Sequence, residues 1–293
     1  MKKKFIPLIS AALALSLALT GCGGSGSSAA GSSAAGSSAA DPSSAAASST
    51  AVTATLTVGA SPSPHAQILN DVIAPLLAAQ GIELVVREFD DYIIPNTALE
   101  AGELDANYFQ HTPYLEDFNE ENGTHLAVGA EVHFETMALY PGKTASLDAL
   151  ADGASIAIPN DTTNEARALQ LLAAQGLITL KEGVGLEATP NDVVENPKNL
   201  KFEEVVAAQI PNLLADVDLG IANGNYALGA GIAGTAIVKE GADSEAAQTY
   251  PNVLAIREGD ERPELKALIE AMTSPEVKAY IEETYEGTVI AVF

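Results

Sequence analysis

From Thr55 onward, short β-branched runs alternate with segments whose apolar residues recur at helical spacing, and that alternation restricts the chain to layered α/β folds. Thr55-Leu56-Thr57-Val58-Gly59-Ala60 reads as a buried strand. Ser63-Pro64 then opens a helix, with Ser as N-cap and Pro at the first helical position; Ile68, Val72, Ile73, Leu76 and Leu77 form its apolar face. Gly81 ends that helix, and a strand follows over 83–89. The same logic predicts a short helix over 95–101 stopped by Gly102, a strand end over 106–109 and a helix over 113–122. Strands are expected over 126–132, 137–140, 155–158, 200–205, 219–222, 236–239 and 253–256. A short helix is expected over 147–150, and one or two amphipathic helices close the chain over 264–285. The start Thr162-Thr163-Asn164-Glu165 fits a capping box for a helix over 162–175, which Gly176 stops.

The first fifty residues obey different rules. Lys2, Lys3 and Lys4 precede an apolar run from Phe5 to Leu19, too short for an ordinary spanning helix and suited to a signal segment. It ends in Leu19-Thr20-Gly21-Cys22, small residues before a cysteine, as in a bacterial lipobox. Residues 1–21 are therefore expected to be a leader and Cys22 the lipidated N-terminus. Residues 23–50 are almost entirely Gly, Ser and Ala, with a near repeat of Gly-Ser-Ser-Ala-Ala from Gly26, Gly31 and Gly36. Such a composition buries too little apolar surface to order itself. Residues 22–52 thus read as an anchor and flexible tether, with a root-mean-square reach of roughly 30 Å and an extended limit of about 95 Å.

Composition narrows the partners. The net charge is −25, and loss of a leader carrying three lysines makes it more negative still. That disfavours nucleic acid and anionic membrane surfaces, so membrane attachment is expected through the lipid alone. With one cysteine no intramolecular disulfide can form, and the fold must hold through its core. Beyond the leader no apolar run reaches 18 residues.

Two segments carry candidate chemistry. Asp105-Ala106-Asn107-Tyr108-Phe109-Gln110-His111-Thr112-Pro113-Tyr114-Leu115 is dense in aromatic and amide groups, in a chain with only 7 Phe, 8 Tyr and no Trp. With Tyr92, the rings of Phe109, His111 and Tyr114 could enclose an apolar or thioether side chain. Composition alone fits core packing equally well; the polar neighbours Asn107 and Gln110 argue against that, because buried polar groups need partners. In Asn160-Asp161-Thr162-Thr163-Asn164-Glu165-Ala166-Arg167, a strand runs into a capped helix start, which favours an anion. Asn164 and Arg167 share a helix face, and Arg167 is a candidate two-point carboxylate clamp, or else an ordinary ion-pair partner of Glu165 or another acid. Removal of Arg167 is expected to abolish binding and leave the fold intact. Ligands of such folds sit at strand carboxyl ends, where Ser61, Asp91-Tyr92, Phe109–His111, Asn160–Arg167 and Asn223 fall.

Catalysis and metal binding find little support. His65, His111, His125 and His133 lack zinc-site spacing, and there is no Gly-x-Ser-x-Gly. His133-Phe134-Glu135 could mimic an acid–base pair but has no evident substrate. Gly229-Ala230-Gly231-Ile232-Ala233-Gly234 matches a dinucleotide fingerprint only superficially, since it does not follow a first strand. No cofactor is expected.

Five blocks together resemble the methionine-binding lipoproteins of bacterial ABC importers. They are Ser61-Pro62-Ser63-Pro64-His65; the stretch from Asp91-Tyr92-Ile93-Ile94-Pro95-Asn96 to Leu115; Pro159 to Arg167; Gly183-Val184-Gly185-Leu186 through Asp192 to Leu200; and Asn223-Gly224-Asn225-Tyr226-Ala227. The resemblance implies a type II periplasmic-binding-protein-like fold, with two α/β lobes, a ligand cleft between them and hinge closure. It implies one lobe from 53–136 plus 245–293 and another from 137–244. It further implies Arg167 on the ligand carboxylate, Asn164, Asn223 and Asn252 near the α-amino and carboxylate groups, and Tyr92, Phe109, His111 and Tyr114 around the side chain. The expected role is that of a monomeric, lipid-anchored extracytoplasmic protein delivering L-methionine to a permease and ATPase complex. A different small amino acid or a methionine-containing dipeptide stays open as ligand, and a surface lipoprotein without a transport role or an enzyme remains a further alternative.

Overall fold

The computed structural model describes residues 51–285 and 287–293; the lipobox, Cys22 and nearly all of the tether lie outside them. Strand β1 (Ala54–Ala60) pairs in parallel with β2 (Ile82–Glu88) and, on its other side, with β3 (Ala106–His111). β4 (Leu126–Glu135) leads into β5 (Ala138–Pro141) through the short crossing Thr136–Met137. β5 starts a second sheet with β6 (Ser155–Pro159). The antiparallel pair β7 (Thr179–Leu180) and β8 (Val193–Glu195) stands apart from both sheets. β9 (Lys201–Val205), β10 (Leu219–Ala222) and β11 (Val238–Lys239) complete the second sheet. The chain then returns to the first sheet as β12 (Pro251–Arg257) and ends in β13 (Val289–Ala291).

The sheets run β13-β4-β12-β3-β1-β2 and β11-β5-β10-β6-β9. In each, three strands are parallel, and the strand that has just crossed from the other lobe inserts antiparallel beside them: β12 against β3, and β5 against β10. The protein is a two-lobed α/β fold. Each lobe has its own core: Leu56, Val58, Ile68, Ile73, Tyr108 and Leu254 are fully buried in one, Ile156, Ile158, Leu169, Leu172 and Ile221 in the other. None of the helices among the described residues is long and apolar enough to cross a membrane.

The expected elements are present within a few residues, with informative differences. Ser63 has extended backbone immediately before Pro64, as a cap residue should, yet no side-chain cap bond forms. Its hydroxyl instead donates to Gln67 Oε1 at 3.1 Å. The turns after it widen into π-type segments at Pro62–Ala66 and Leu69–Ile73 before an α-helix at Ala74–Ala78. The helix Thr162–Ala174 begins one residue earlier than the capping-box reading requires. Asp161 is its N-cap, accepting from the Asn164 N–H at 3.1 Å, so Asn164 rather than Glu165 takes the third helical position. A carboxylate outcompetes a hydroxyl for that N–H, and Asp161 also accepts from Asn164 Nδ2 at 2.7 Å. The helix Gly224–Gly229, β13 and the β7–β8 pair have no counterpart in the sequence reading. The closing segment is two helices, Pro263–Met272 and Pro275–Tyr285.

Register delivers the polar residues to the space between lobes. Asn252 faces His111 across β3 and His133 across β4. The carboxyl ends of β3, β4, β6 and β10 all point there, the position expected for ligands of open α/β sheets. Behind β5, Gly142 is wedged against backbone: a Cβ there would lie 2.4 Å from Val217 O and 2.5 Å from Leu214 O. Gly142→Ala is therefore expected to destabilise by roughly 1–3 kcal/mol, because backbone cannot rotate away as a side chain can. Gly229→Ala, whose methyl would meet nothing within 4 Å, is expected to be neutral or to stabilise by up to about 1 kcal/mol. Urea unfolding of the two variants, compared by midpoint at constant slope, checks the contrast.

Candidate functional site

A cavity lies between the lobes, lined by all eight residues singled out from the sequence: Tyr92, Phe109, His111, Tyr114, Asn164, Arg167, Asn223 and Asn252. Gln110, Glu135, Gly224 and Asn225 also line it. Other strand-end candidates lie elsewhere. Ser61 does not line the cavity, Asp91 Oδ1 accepts from the Ile93 and Ile94 N–H groups at 2.8 and 2.7 Å, and Asp161 is spent on its helix cap. The block from Gly183 to Leu200 forms short turns and the β7–β8 pair, and it too lies outside the cavity lining.

One wall is aromatic. Tyr92, Phe109 and Tyr114 pack with ring centroids 5.6, 5.6 and 6.2 Å apart, and His111 lies 6.2 Å from Tyr114 edge-on. Tyr226 of the other lobe stacks on Tyr92 at 5.0 Å, and the Tyr92 hydroxyl donates to Asn225 Oδ1 at 2.7 Å. Burial pushes the Tyr92 and Tyr114 hydroxyls well above the ordinary tyrosine range, so both remain protonated donors. His111 Nδ1 accepts from the Tyr114 N–H, so its proton sits on Nε2 and is donated across the cleft to Asn164 Oδ1 at 3.0 Å. Asn107 and Gln110, by contrast, are not ligand-facing donors in waiting. Their amides close a buried cluster with Asn96, at 2.7–2.9 Å. Their polarity is structural.

The opposite wall is polar. Asn164 Oδ1 also accepts from Asn223 Nδ2 at 2.7 Å, which leaves Asn223 Oδ1 buried with no partner among the described residues. A buried acceptor left unmatched costs about 1–3 kcal/mol, so it marks where a donor belongs. Arg167 is 2% exposed, held over the Tyr250 ring at 4.4 Å. Its Nε donates to Glu240 Oε1 at 2.8 Å, while Nη2 donates to Glu240 Oε2 and, at 2.8 Å, to the Glu135 carbonyl. Its acid partner is thus Glu240 rather than Glu165, and the pair is buried rather than exposed. The two-point fork expected for a ligand is taken by Glu240, and Nη1 is the end without a bond to the described residues. Arg167 is thus part of the fold as well as the cavity. Truncating it would strand a buried carboxylate at a cost of about 3–5 kcal/mol, so its removal is now expected to weaken the fold as well as the site.

Beneath the cavity, residues far apart in sequence converge. The Tyr108 hydroxyl donates to His133 Nδ1, and His133 Nε2 donates to Glu135 Oε1 at 2.7 Å. His65 Nε2 lies 3.2 Å from that same oxygen and 2.9 Å from Asn252 Oδ1; both are acceptors, so Nε2 carries the proton. The sequence reading of His133 and Glu135 as a pair on one strand face is met, but His65 and its link to Asn252 were not foreseen. His65, His133 and Glu135 have metal-donor chemistry and lie within 4.8 Å of one another. Their spacing is that of proton-mediated bonds to a single carboxylate oxygen. Glu135 Oε2 approaches Gly224 so closely that a Cβ there would sit 2.9 Å away, which requires glycine. Burial pushes the Glu135 carboxyl up, while His65, Arg167 and the Asn225 N–H pull it back.

The fold and cavity define a two-lobed solute-binding protein, with its site built from both lobes. The chain belongs to the NlpA lipoprotein family, whose model matches residues 56–293. It is 39% identical over 215 residues to the D-methionine-binding lipoprotein MetQ of Escherichia coli O157:H7, covering 72% of this chain and 78% of that protein. A nutrient binding protein from Burkholderia cenocepacia, solved bound to methionine, is 40% identical with a TM-score of 0.76, covering 81% of this chain and all of that one. A solved structure from Ruminococcus gnavus ATCC 29149 is 51% identical with a TM-score of 0.79, covering 82% and 99% of the two chains.

Burial lowers the pKa of His65 to about 4, and those of His111 and His133 to about 3, with the Arg167 charge assisting at His111. Each depressed imidazole contributes stability that is complete above the unfolded value near 6.5 and is lost as pH falls toward 3–4, because only the unfolded chain takes up the proton in that window. Ring ¹⁵N shifts of these three histidines are expected to stay constant from pH 8 to 5, each reporting a proton on Nε2. Titration of any of them with a midpoint near 6.5 would contradict the assigned network.

Proposed function

We propose that this protein is a lipid-anchored, extracytoplasmic solute-binding protein that captures methionine in the interlobe cavity and delivers it to an ABC importer. The observation that carries this reading is the division of one small cavity into an aromatic half and a zwitterion half. Phe109, Tyr92 and Tyr114 suit a thioether, because a polarisable sulfur gains from ring contacts. Across from them, Arg167 lines the cavity, and its cation suits a carboxylate. Asn223 Oδ1, unmatched, and the buried Glu135 suit an ammonium group. The methionine-bound relative and the methionine-binding name of the other support the choice of side chain. Transport by an ABC system rests on the family resemblance, and attachment rests on the lipobox at Cys22.

Calorimetric titration with L-methionine, D-methionine, other small amino acids and methionine dipeptides tests the ligand and its hand. Methionine at a thousandfold over Kd should stabilise the fold by about 4 kcal/mol. No binding of any amino acid or dipeptide overturns the reading; a dipeptide preferred over methionine would move the ligand class. Asn223→Ala should weaken methionine binding about tenfold to a hundredfold, the loss of one buried hydrogen bond to a charged donor. Its melting temperature should change little, because Asn223 makes a single side-chain hydrogen bond within the protein. Cys22→Ser, expressed in a bacterial host, should move the protein from the membrane fraction to the soluble extracytoplasmic fraction, since stable anchoring needs more than one acyl chain on that residue.

A further inference from the structure

The lobes are joined by two chain crossings, Thr136–Met137 between β4 and β5, and 240–250 between β11 and β12. Glu240 opens the second. Its side chain is 7% exposed, and its two oxygens reach in two directions. Oε2 accepts from the Met137 N–H of the first crossing at 2.7 Å, and both oxygens hold Arg167. The backbone completes the tie, with the Glu240 N–H donating to Met137 O at 3.1 Å. Arg167 in turn donates to the Glu135 carbonyl, at the edge of the first crossing. One carboxylate therefore fastens both crossings to the guanidinium in the wall of the cavity.

Two consequences follow for a ligand, and both rest on the reading of the cavity as an amino-acid site. Nε and Nη2 of Arg167 are already committed to protein acceptors, so Nη1 is the end left without a bond among the described residues, and a ligand carboxylate would meet the guanidinium there rather than through the fork. The positive charge of Arg167 is also matched before any ligand arrives. The remaining buried acid in the cavity wall, Glu135, is then not offset by a free cation. A wall of that balance accepts a zwitterion, whose ammonium and carboxylate cancel, and resists a ligand that brings only a carboxylate.

We propose that Glu240 is the positioning residue of this site: it aims Arg167 at the ligand carboxylate and, by neutralising the guanidinium, sets the preference for zwitterions over monoanions. Its charge enforces selectivity and its reach enforces affinity, which makes the two separable. The test is calorimetric titration of wild type, Glu240→Gln and Glu240→Asp with two probes, L-methionine and 4-(methylthio)butanoate, the same molecule without its amino group. Circular dichroism and melting curves accompany each variant. In Glu240→Gln the uncompensated guanidinium should favour the monoanion, so the ratio of methionine to butanoate affinity should fall tenfold or more from that of wild type. A ratio measured on folded protein is insensitive to any inactive fraction. In Glu240→Asp, which keeps the charge but is shorter by one methylene, methionine affinity should fall about tenfold or more while the ratio stays within threefold of wild type. An unchanged ratio in the Gln variant overturns the proposal. If that variant does not fold, the Asp variant decides alone: unchanged methionine affinity, or a shifted ratio, overturns it. Failure of wild type to bind methionine would instead overturn the ligand assignment, not the role of Glu240.

Discussion

A guanidinium that is 2% exposed cannot be left unpaired, and much of this structure is arranged around that constraint at Arg167. Its position is dictated by a helix that begins at the end of β6, so the charge is carried to the boundary between lobes. There it must find acceptors, and those within reach are the crossings themselves: the Glu135 carbonyl on one side and the Glu240 carboxylate on the other. Two aromatic faces, Tyr250 at 4.4 Å and Phe134 at 5.5 Å, complete the enclosure. The same residue thus joins the lobes and walls the cavity, which is why its role cannot be reduced to that of a surface clamp.

Accounting for the buried amides separates scaffold from site. Asn96, Asn107 and Gln110 satisfy one another and need nothing further. Tyr108, His133, Glu135 and His65 are linked in a line that ends at Asn252, with His65 Nδ1 and Glu135 Oε2 outside its side-chain bonds, so that the strand carrying Asn252 is held at a fixed height against the cavity. Asn223 Oδ1 falls outside both sets among the described residues. Buried amides are thus not alike: those with full complements rigidify the walls, and the one with a free acceptor points to a missing donor. Composition and exposure do not distinguish Asn107 from Asn223, whereas their partners do.

That distinction also explains what could be read from the sequence. Strand and helix order and the glycine stops were legible because each depends on local signals, period and caps. Most of the eight cavity residues fall at or near a strand's carboxyl end, but Asn252, at the start of β12, was named only through the family resemblance. The helix start at Asp161 was misplaced by one residue because Asp161 and Thr162 are both accepted cap residues and the capping-box spacing to Glu165 pointed to Thr162, whereas the second bond from Asn164 Nδ2 favours Asp161. Glu240 and the His65 link were illegible for a different reason. His65 and Asn252 are 187 residues apart, and Arg167 and Glu240 are 73 apart, so nothing in a short window connects them. In a chain with 39 acidic residues, no single glutamate stands out. A weak signal did exist, since Glu240 sits at the end of a strand where the chain leaves a lobe, but it acquires meaning only once the crossing opposite is known.

The acidity of the chain, at first sight awkward for a protein proposed to bind a carboxylate, becomes coherent at the cavity. A long-range negative field repels free anions and is felt over about a Debye length, roughly 8–10 Å at physiological salt. A zwitterion carries no net charge and approaches without that penalty. Within the cavity the field is set by groups a few ångströms apart: Arg167 is answered by Glu240, and on the proposed reading Glu135 is the acid left to an ammonium group. Surface and cavity therefore discriminate in the same direction. On the proposed reading, an external field that disfavours monoanions and an internal one that lacks a spare cation would both leave the zwitterion as the form that fits, with the aromatic wall selecting among zwitterions by side chain.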